Sequence, residues 1–259
     1  MKTEAHRNPE QGHWVLAKAG KRILRPGGIE LTYTMIDNLK ISSDDDVVEF
    51  APGLGITAAL TCAKKPNSYT GVDINAEAAD IVKKRLKYDK AKVVIASASE
   101  TTLPDAYATK VYGEAMLSMQ NDKHKIEIIK EAARILKPGG LYGIHELGLY
   151  PDNVSDEIKK ETFGDISRAI QVQARPLTVK EWSEMLETEG FKVLTVASNP
   201  MHLVRPKRIL QDEGFFRTLK IMFNVLTHSD LRSRVKQMRK VFDKHENHLN
   251  AISIVAQKL

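Results

Sequence analysis

Glu49-Phe-Ala-Pro-Gly53-Leu-Gly55 sets two glycines and Ala51 directly after the apolar run Val47–Phe50 and before a helical pattern opening at Ile56. Small residues at such a turn let the backbone approach a ligand closely, and the unpaired amides of the following helix start attract negative charge. Asp73 closes the next apolar run, eighteen residues after Gly55, where a carboxylate can accept hydrogen bonds from both hydroxyls of a ribose. A nucleoside cofactor with an anionic end satisfies both features, and two such cofactors fit. A dinucleotide would set its pyrophosphate on the turn, and Gly53-x-Gly55-x-x-Ala58 matches the corresponding fingerprint. S-adenosylmethionine (SAM) would set its amino-acid end there, offering a carboxylate to the amides and an ammonium that needs an acceptor. Glu49 separates the two, since an acid at the end of the first run repels a pyrophosphate and tolerates an ammonium.

The elements that must hold these residues alternate. Val47–Phe50, Ser68–Asp73, Lys92–Ala96, Lys110–Ala115, Leu141–Leu147, Phe191–Ala197 and Ala251–Gln257 have strand character. Between them the spacing predicts helices over Ile56–Lys65, from an Asn75 N-cap through residue 90, and over Asp122–Leu136 ahead of Lys137-Pro-Gly-Gly140. Thr178-Val-Lys-Glu181 is a capping box for a helix ending at Gly190. Strands alternating with helices imply crossovers and a mostly parallel sheet covered on both faces. The expectation is an α/β, Rossmann-like, seven-stranded sheet with an antiparallel last strand and helical cap elements. Residues 1–40 read as an N-terminal helical cap and 41–259 as the sheet domain, with helical insertions at about 150–178 and 205–247.

On these motifs the chain resembles the class I SAM-dependent methyltransferases, in particular the small-molecule branch that includes ubiquinone and menaquinone biosynthesis enzymes. The likeness covers Val47 to Leu147 and rests on four ordered motifs. Glu49-x-Ala51-x-Gly53-x-Gly55 is similar to the first, with Ala51 in place of its usual first glycine. Val72-Asp73-Ile74 resembles the acidic motif, which implies that Asp73 takes the ribose and Ile74 packs on adenine. Ala98-Ser99-Glu100-x-x-Leu103-Pro104 lies where the family often has Gly-Asp-Ala-x-x-Leu-Pro; Ser99 replaces the customary aspartate near the adenine amino group. Arg134-Ile-Leu-Lys-Pro-Gly-Gly140 is similar to the family's Arg-Val-Leu-Lys-Pro-Gly-Gly and has no counterpart in the dinucleotide fingerprint.

In open parallel sheets ligands bind beyond the carboxyl ends of the strands. Glu114, Met119, Gln120, His145 and Glu146, just after the fourth and fifth strands, are therefore candidates for chemistry. Methyl transfer is an in-line displacement, so the enzyme supplies alignment and a dry pocket, with a base only where the acceptor must lose a proton. His145 is the best base by type, although a strand-end histidine is more often structural. Glu114 suits the SAM ammonium or a substrate group. His202 and Arg205 suit an anionic acceptor. The turn Arg25-Pro-Gly-Gly28 ahead of Thr32 reads either as a flap whose Gly28 amide or Thr32 reaches the cofactor, or as a plain connector. Trp14, Phe215, Phe216, Met222 and Phe223 suit an acceptor pocket, the core or a dimer contact.

Composition narrows the class. No apolar run approaches the ~20 residues of a membrane span, and the polar start MKTEAHRNPEQGHW lacks the apolar centre of a secretion signal. One cysteine, Cys62, excludes an internal disulfide and a cysteine-rich zinc site. These features read as a cytoplasmic enzyme or binding protein, with no metal expected. Arg205–His245 holds eleven Lys/Arg against four Asp/Glu, a solvated helix face or a surface for an anionic partner. The reading is methyl transfer from SAM to oxygen, nitrogen or carbon of a small molecule. Alternatives are an RNA or protein methyltransferase using the basic region, a non-catalytic SAM-binding scaffold, and a nicotinamide dehydrogenase. A homodimer is compatible with each.

Overall fold

The computed structural model describes residues 11–259; the first ten residues, which include most of the polar start and the beginning of the predicted 1–40 cap, lie outside the described residues. Strands β1 (Asp46–Phe50), β2 (Ser68–Asp73), β3 (Ala91–Ile95), β4 (Ala108–Glu114), β5 (Leu136–Leu149), β6 (Leu177–Thr178), β7 (Phe191–Pro200) and β8 (Leu249–Lys258) form one sheet. Its order is β3-β2-β1-β4-β5-β8-β7, with the two-residue β6 paired to the end of β5. The seven expected strands are present, and β6 is an addition too short to leave a periodicity. Pairings among β1 to β5 are parallel, whereas β8 runs antiparallel to both β5 and β7.

Alternation along β1 decides what each face of the sheet receives. Val48 and Phe50 point to the side covered by α5 (Asp122–Ile135) and α7 (Val179–Thr188), where Ile128, Ala132, Trp182 and Leu186 complete a core. Val47 points to the opposite side, packed with residues of α2 (Gly28–Asn38), α3 (Ile56–Ala63) and α4 (Ala76–Arg85). The Asn75 cap accepts from the Ala78 amide and the Thr178/Glu181 capping box is complete.

Beyond the carboxyl edge of the sheet sits a third cluster. There α1 (Gly12–Ala19), α6 (Asp156–Ile170) and α10 (Ser229–Lys244) close over Leu147 and Leu149 of β5. Two shorter helices, α8 (Pro206–Glu213) and α9 (Phe215–Thr227), complete the helical segment between β7 and β8. Buried ion pairs lock α8 to the loop after α1. The Lys21 ammonium lies 3.1 Å from Asp212, and one Glu213 oxygen accepts from the amides of Arg22 (2.6 Å) and Ile23 (2.8 Å). This clamp fixes the segment that delivers Arg25.

Candidate active site

A cleft of about 360 Å³ opens at the carboxyl ends of β1, β2 and β4, lined by the glycine turn, Asp73, Ile74, Glu114 and the loop carrying Arg25. The turn is tight. Ala51, Gly53 and Gly55 all have positive φ (50°, 53° and 70°), a conformation that suits glycine and costs an L-residue roughly 1–2 kcal/mol. Alanine at 51 therefore keeps the backbone path of the family's glycine and bears strain in doing so. A Cβ on Gly53 would meet only the Ala51 carbonyl, at 3.9 Å, so nothing in the protein excludes one sterically and it is the positive φ that favours glycine there. The Asp73 carboxylate accepts from the Asn75 amide at 2.9 Å and also from the Gly53 backbone, while burial raises its pKa. It thus ties the two strand ends across the cleft. Ile74 lines the rim and is half exposed.

Two buried acids border the cleft in contrasting environments. Glu49 is the register partner of Tyr112 on β4. Its Oε2 accepts from the hydroxyls of Tyr69 (2.5 Å) and Tyr112 (2.8 Å). Burial dominates, and its pKa is pushed up to about 7. Glu114 is the register partner of His145 on β5. It receives Arg25 Nε at 3.2 Å, His145 Nδ1 at 2.7 Å and the hydroxyls of Thr32 and Thr57. Burial raises its pKa, but Arg25 and His145 outweigh that and hold it down at about 2.

The sequence reading and this geometry part at several residues. His145 is fully buried, with Nδ1 on Glu114 and Nε2 2.6 Å from the Pro26 carbonyl. Both ring nitrogens face oxygen acceptors and the ring does not line the cleft, so it positions Glu114 and cannot serve as the expected base. Gly28 and Thr32 do not reach the cleft either. Gly28 packs against Asp212 and Arg208, and Thr32 donates to Glu114 while accepting from Arg25 Nε at 2.6 Å. Glu146 is wholly enclosed, accepting from the amides of Met116, Leu117 and Ser118 and from the Ser118 hydroxyl. Gln120 bonds the Met116 carbonyl, and Ser99 turns back to Ser97 at 2.8 Å; neither they nor Glu100 line the cleft. Gly55 stands behind it as the cap of α3. His202 and Arg205 line a separate basic cavity, where Arg205 is paired with Asp243 and Glu246; they do not line the cleft. Glu49, Ala51, Gly53, Asp73, Ile74, Glu114 and Met119 do come together.

Arg25 and His13 also line the cleft, placed there by tertiary packing that the sequence pattern does not record. The Nη2 of Arg25 is buried without a hydrogen-bond partner, in a side chain that lines the cleft. A buried guanidinium nitrogen left unpaired is costly, and an incoming carboxylate would satisfy it. His13 lines both the cleft and a small apolar cavity beyond it (≈ 40 Å³), where it is the one titratable side chain among Leu16, Leu24, Met119, Ile166 and other apolar residues. Only tertiary structure brings this N-terminal helix over the sheet edge.

The residues fit SAM. Asp73 has the carboxylate oxygens that ribose hydroxyls would need, Ile74 an apolar side chain that a flat base would need, the glycine turn a strained backbone open to the cleft, and Arg25 an unpaired nitrogen that a carboxylate would satisfy. Comparisons with known proteins agree. The model of a methyltransferase domain family matches residues 47–140. An uncharacterized protein of Haemophilus influenzae is 34% identical over 254 residues, covering 96% of this chain and 98% of that protein. Among solved structures, phosphoethanolamine N-methyltransferase 2 of Haemonchus contortus, in complex with phosphomonomethylethanolamine and S-adenosylhomocysteine, superposes with a TM-score of 0.73 at 15% identity. The match covers 99% of this chain and 59% of that one. Geranyl diphosphate C-methyltransferase of Streptomyces coelicolor superposes with a TM-score of 0.63 at 16% identity, over 89% of this chain and 77% of that one; at such identities the likeness is one of fold. Residues 47–140 are thus a methyltransferase domain, the fold is that of SAM-dependent methyltransferases, and the chain shares nearly its whole length with the Haemophilus relative. No described helix is long and apolar enough to cross a membrane.

Proposed function

We propose that the chain methylates a small, largely apolar acceptor, of the ring or polyketide-like kind handled by the ubiquinone and menaquinone branch. The carrying observation is the apolar cavity under α1, α6 and α10, which shares His13, Leu24, Ala115 and Met119 with the cleft. SAM, when bound, supplies an electrophilic methyl on a sulfonium sulfur. The protein's share is alignment and exclusion of water. Asp73 and Ile74 hold the nucleoside end, and the Gly53 turn with Arg25 holds the amino-acid carboxylate. Glu114 supplies the negative surroundings that an ammonium needs, joined by Glu49 as it ionises near pH 7. Met119 and Leu24 keep the path of transfer dry. The cavity is tight, so an acceptor of more than a few atoms enters as α1 or α10 shifts. His13, at the junction of the two spaces, takes the acceptor's proton where the acceptor is a hydroxyl or amine. The described part of segment 1–40, with segments 150–178 and 205–247, acts as the cap over the sheet domain. An RNA acceptor has less support, because the space continuous with the cleft is lined, His13 apart, by apolar side chains.

Asp73→Ala is expected to weaken SAM binding by about 1–3 kcal/mol, the cost of removing a buried hydrogen-bonding partner, as read by calorimetry on folded protein. Unchanged affinity would count against the cofactor placement. Incubation with labelled SAM and a cell lysate, followed by mass spectrometry, tests the acceptor. The label is expected in an apolar small molecule, and label only in RNA or protein would overturn that part of the reading.

A further inference from the structure

Helix α9 is apolar on two sides. Thr218 and Ile221 face inward, and the helix is bound to α1 through Asn224 Nδ2, which donates to the Ala19 carbonyl at 3.0 Å. The outer side carries Phe215, Phe216, Leu219, Met222, Phe223 and Leu226, all exposed, with Phe216 at 85% and Phe223 at 65%. At ~100° per residue these six fall within an arc of about 120°, a continuous stripe centred away from the core. One apolar side suffices to anchor a helix, so the second needs an occupant.

Charge decides which. α9 holds Arg217 and Lys220 and no carboxylate, and its neighbour α10 holds six Lys/Arg against two acids. Of the four acids in 205–245, Asp212 and Glu213 are spent on Lys21 and Arg22, and Asp243 on Arg205 and Arg239. A second copy would bring basic surface against basic surface. The ten residues ahead of the described chain are polar, with Met1 the one large apolar side chain, and have nothing to cover a stripe of six. An anionic bilayer surface meets both demands, because its acyl region accepts aromatic and aliphatic side chains while its headgroups pair with Lys and Arg.

We infer that α9 docks on an anionic lipid surface, with the Phe216/Phe223 stripe immersed and Lys220 and the cations of α10 at headgroup level. α9 rests on α1, and α1 contributes His13 and Leu16 to the apolar cavity. Docking would therefore hold the acceptor entrance one helix away from the bilayer, a useful place for an acceptor that partitions into lipid. The docking itself does not depend on the methyl-transfer reading.

Co-sedimentation of the full chain with phosphatidylcholine vesicles, and with vesicles containing one third phosphatidylglycerol, tests this. The protein is expected to bind the anionic vesicles about tenfold or more tightly than the neutral ones, and less tightly as salt is raised. Phe216→Ser/Phe223→Ser should lower that binding about tenfold. Lys220→Glu/Lys236→Glu should lower it on anionic vesicles only. Both variants alter exposed side chains and should keep the thermal midpoint and the affinity for S-adenosylhomocysteine. Failure to sediment with anionic vesicles would overturn the inference, as would a serine variant binding like the parent. A parent that elutes as a dimer while the serine variant elutes as a monomer, without vesicle binding, would assign the stripe to a second copy instead.

Discussion

Glu114→Ala is expected to destabilise the fold by about 3–5 kcal/mol, because it leaves buried cationic surroundings without their carboxylate. The side chains of Arg25, Glu114 and His145 are all at most 10% exposed. Glu114 alone joins the loop after α1, helix α2 through Thr32, helix α3 through Thr57 and strand β5 through His145. Urea unfolding should show a lower midpoint at unchanged slope. In a chain of this size the thermal midpoint should fall by roughly 10 °C or more. Glu114→Gln, which keeps the shape and loses the charge, should fall between the two. A loss below about 1 kcal/mol in the alanine variant would mean that the cluster does not organise the cap.

Glu49 is expected to make stability fall as pH rises. Its folded pKa, about 7 against an ordinary 4.5, means that between those values the folded state holds a proton that the unfolded state has released. Stability from this group is complete below about pH 4.5 and is lost as pH climbs through 7. The loss approaches 3 kcal/mol in order of magnitude, since each tenfold difference in proton affinity between the two states is worth about 1.4 kcal/mol. Glu114 has the opposite sign. Its folded pKa of about 2 gives stability present above 4.5 and lost as pH falls toward 2. Glu49→Gln should flatten the profile between pH 4.5 and 7 and stabilise the protein at pH 8, with Tyr69 and Tyr112 then donating to the amide oxygen. A glutamine variant with the parent's pH profile would contradict the assignment.

What could be read in advance follows a physical divide. Gly53, Gly55, Asp73 and Ile74 sit at the ends of consecutive strands, so local pattern and chain order carried them to the same edge. The capping box and the Lys137–Gly140 turn are likewise local. The Arg25–Thr32–Glu114–His145 cluster is not, since its members are brought together by the β4/β5 register and by packing of the N-terminal helices. Spacing in the chain carries no trace of that, and this is why His145 looked like a base and Arg25 like part of a turn. Glu146 and Gln120 misled for a related reason. Gln120 follows the end of β4 and Glu146 lies in the carboxyl half of β5, where functional groups collect, yet both are consumed by the Met116–Ser118 backbone or its neighbours. His202 and Arg205 also lie past a strand end, but they follow antiparallel-paired β7 and face a different cavity.

A crystal structure with S-adenosylhomocysteine tests the cofactor cleft most directly. The ribose is expected within hydrogen-bond reach of Asp73, the adenine against Ile74, and the carboxylate at the Gly53 amide and Arg25 Nη2. A nucleoside bound elsewhere would contradict that placement, as would a pyridine dinucleotide occupying the cleft in its stead.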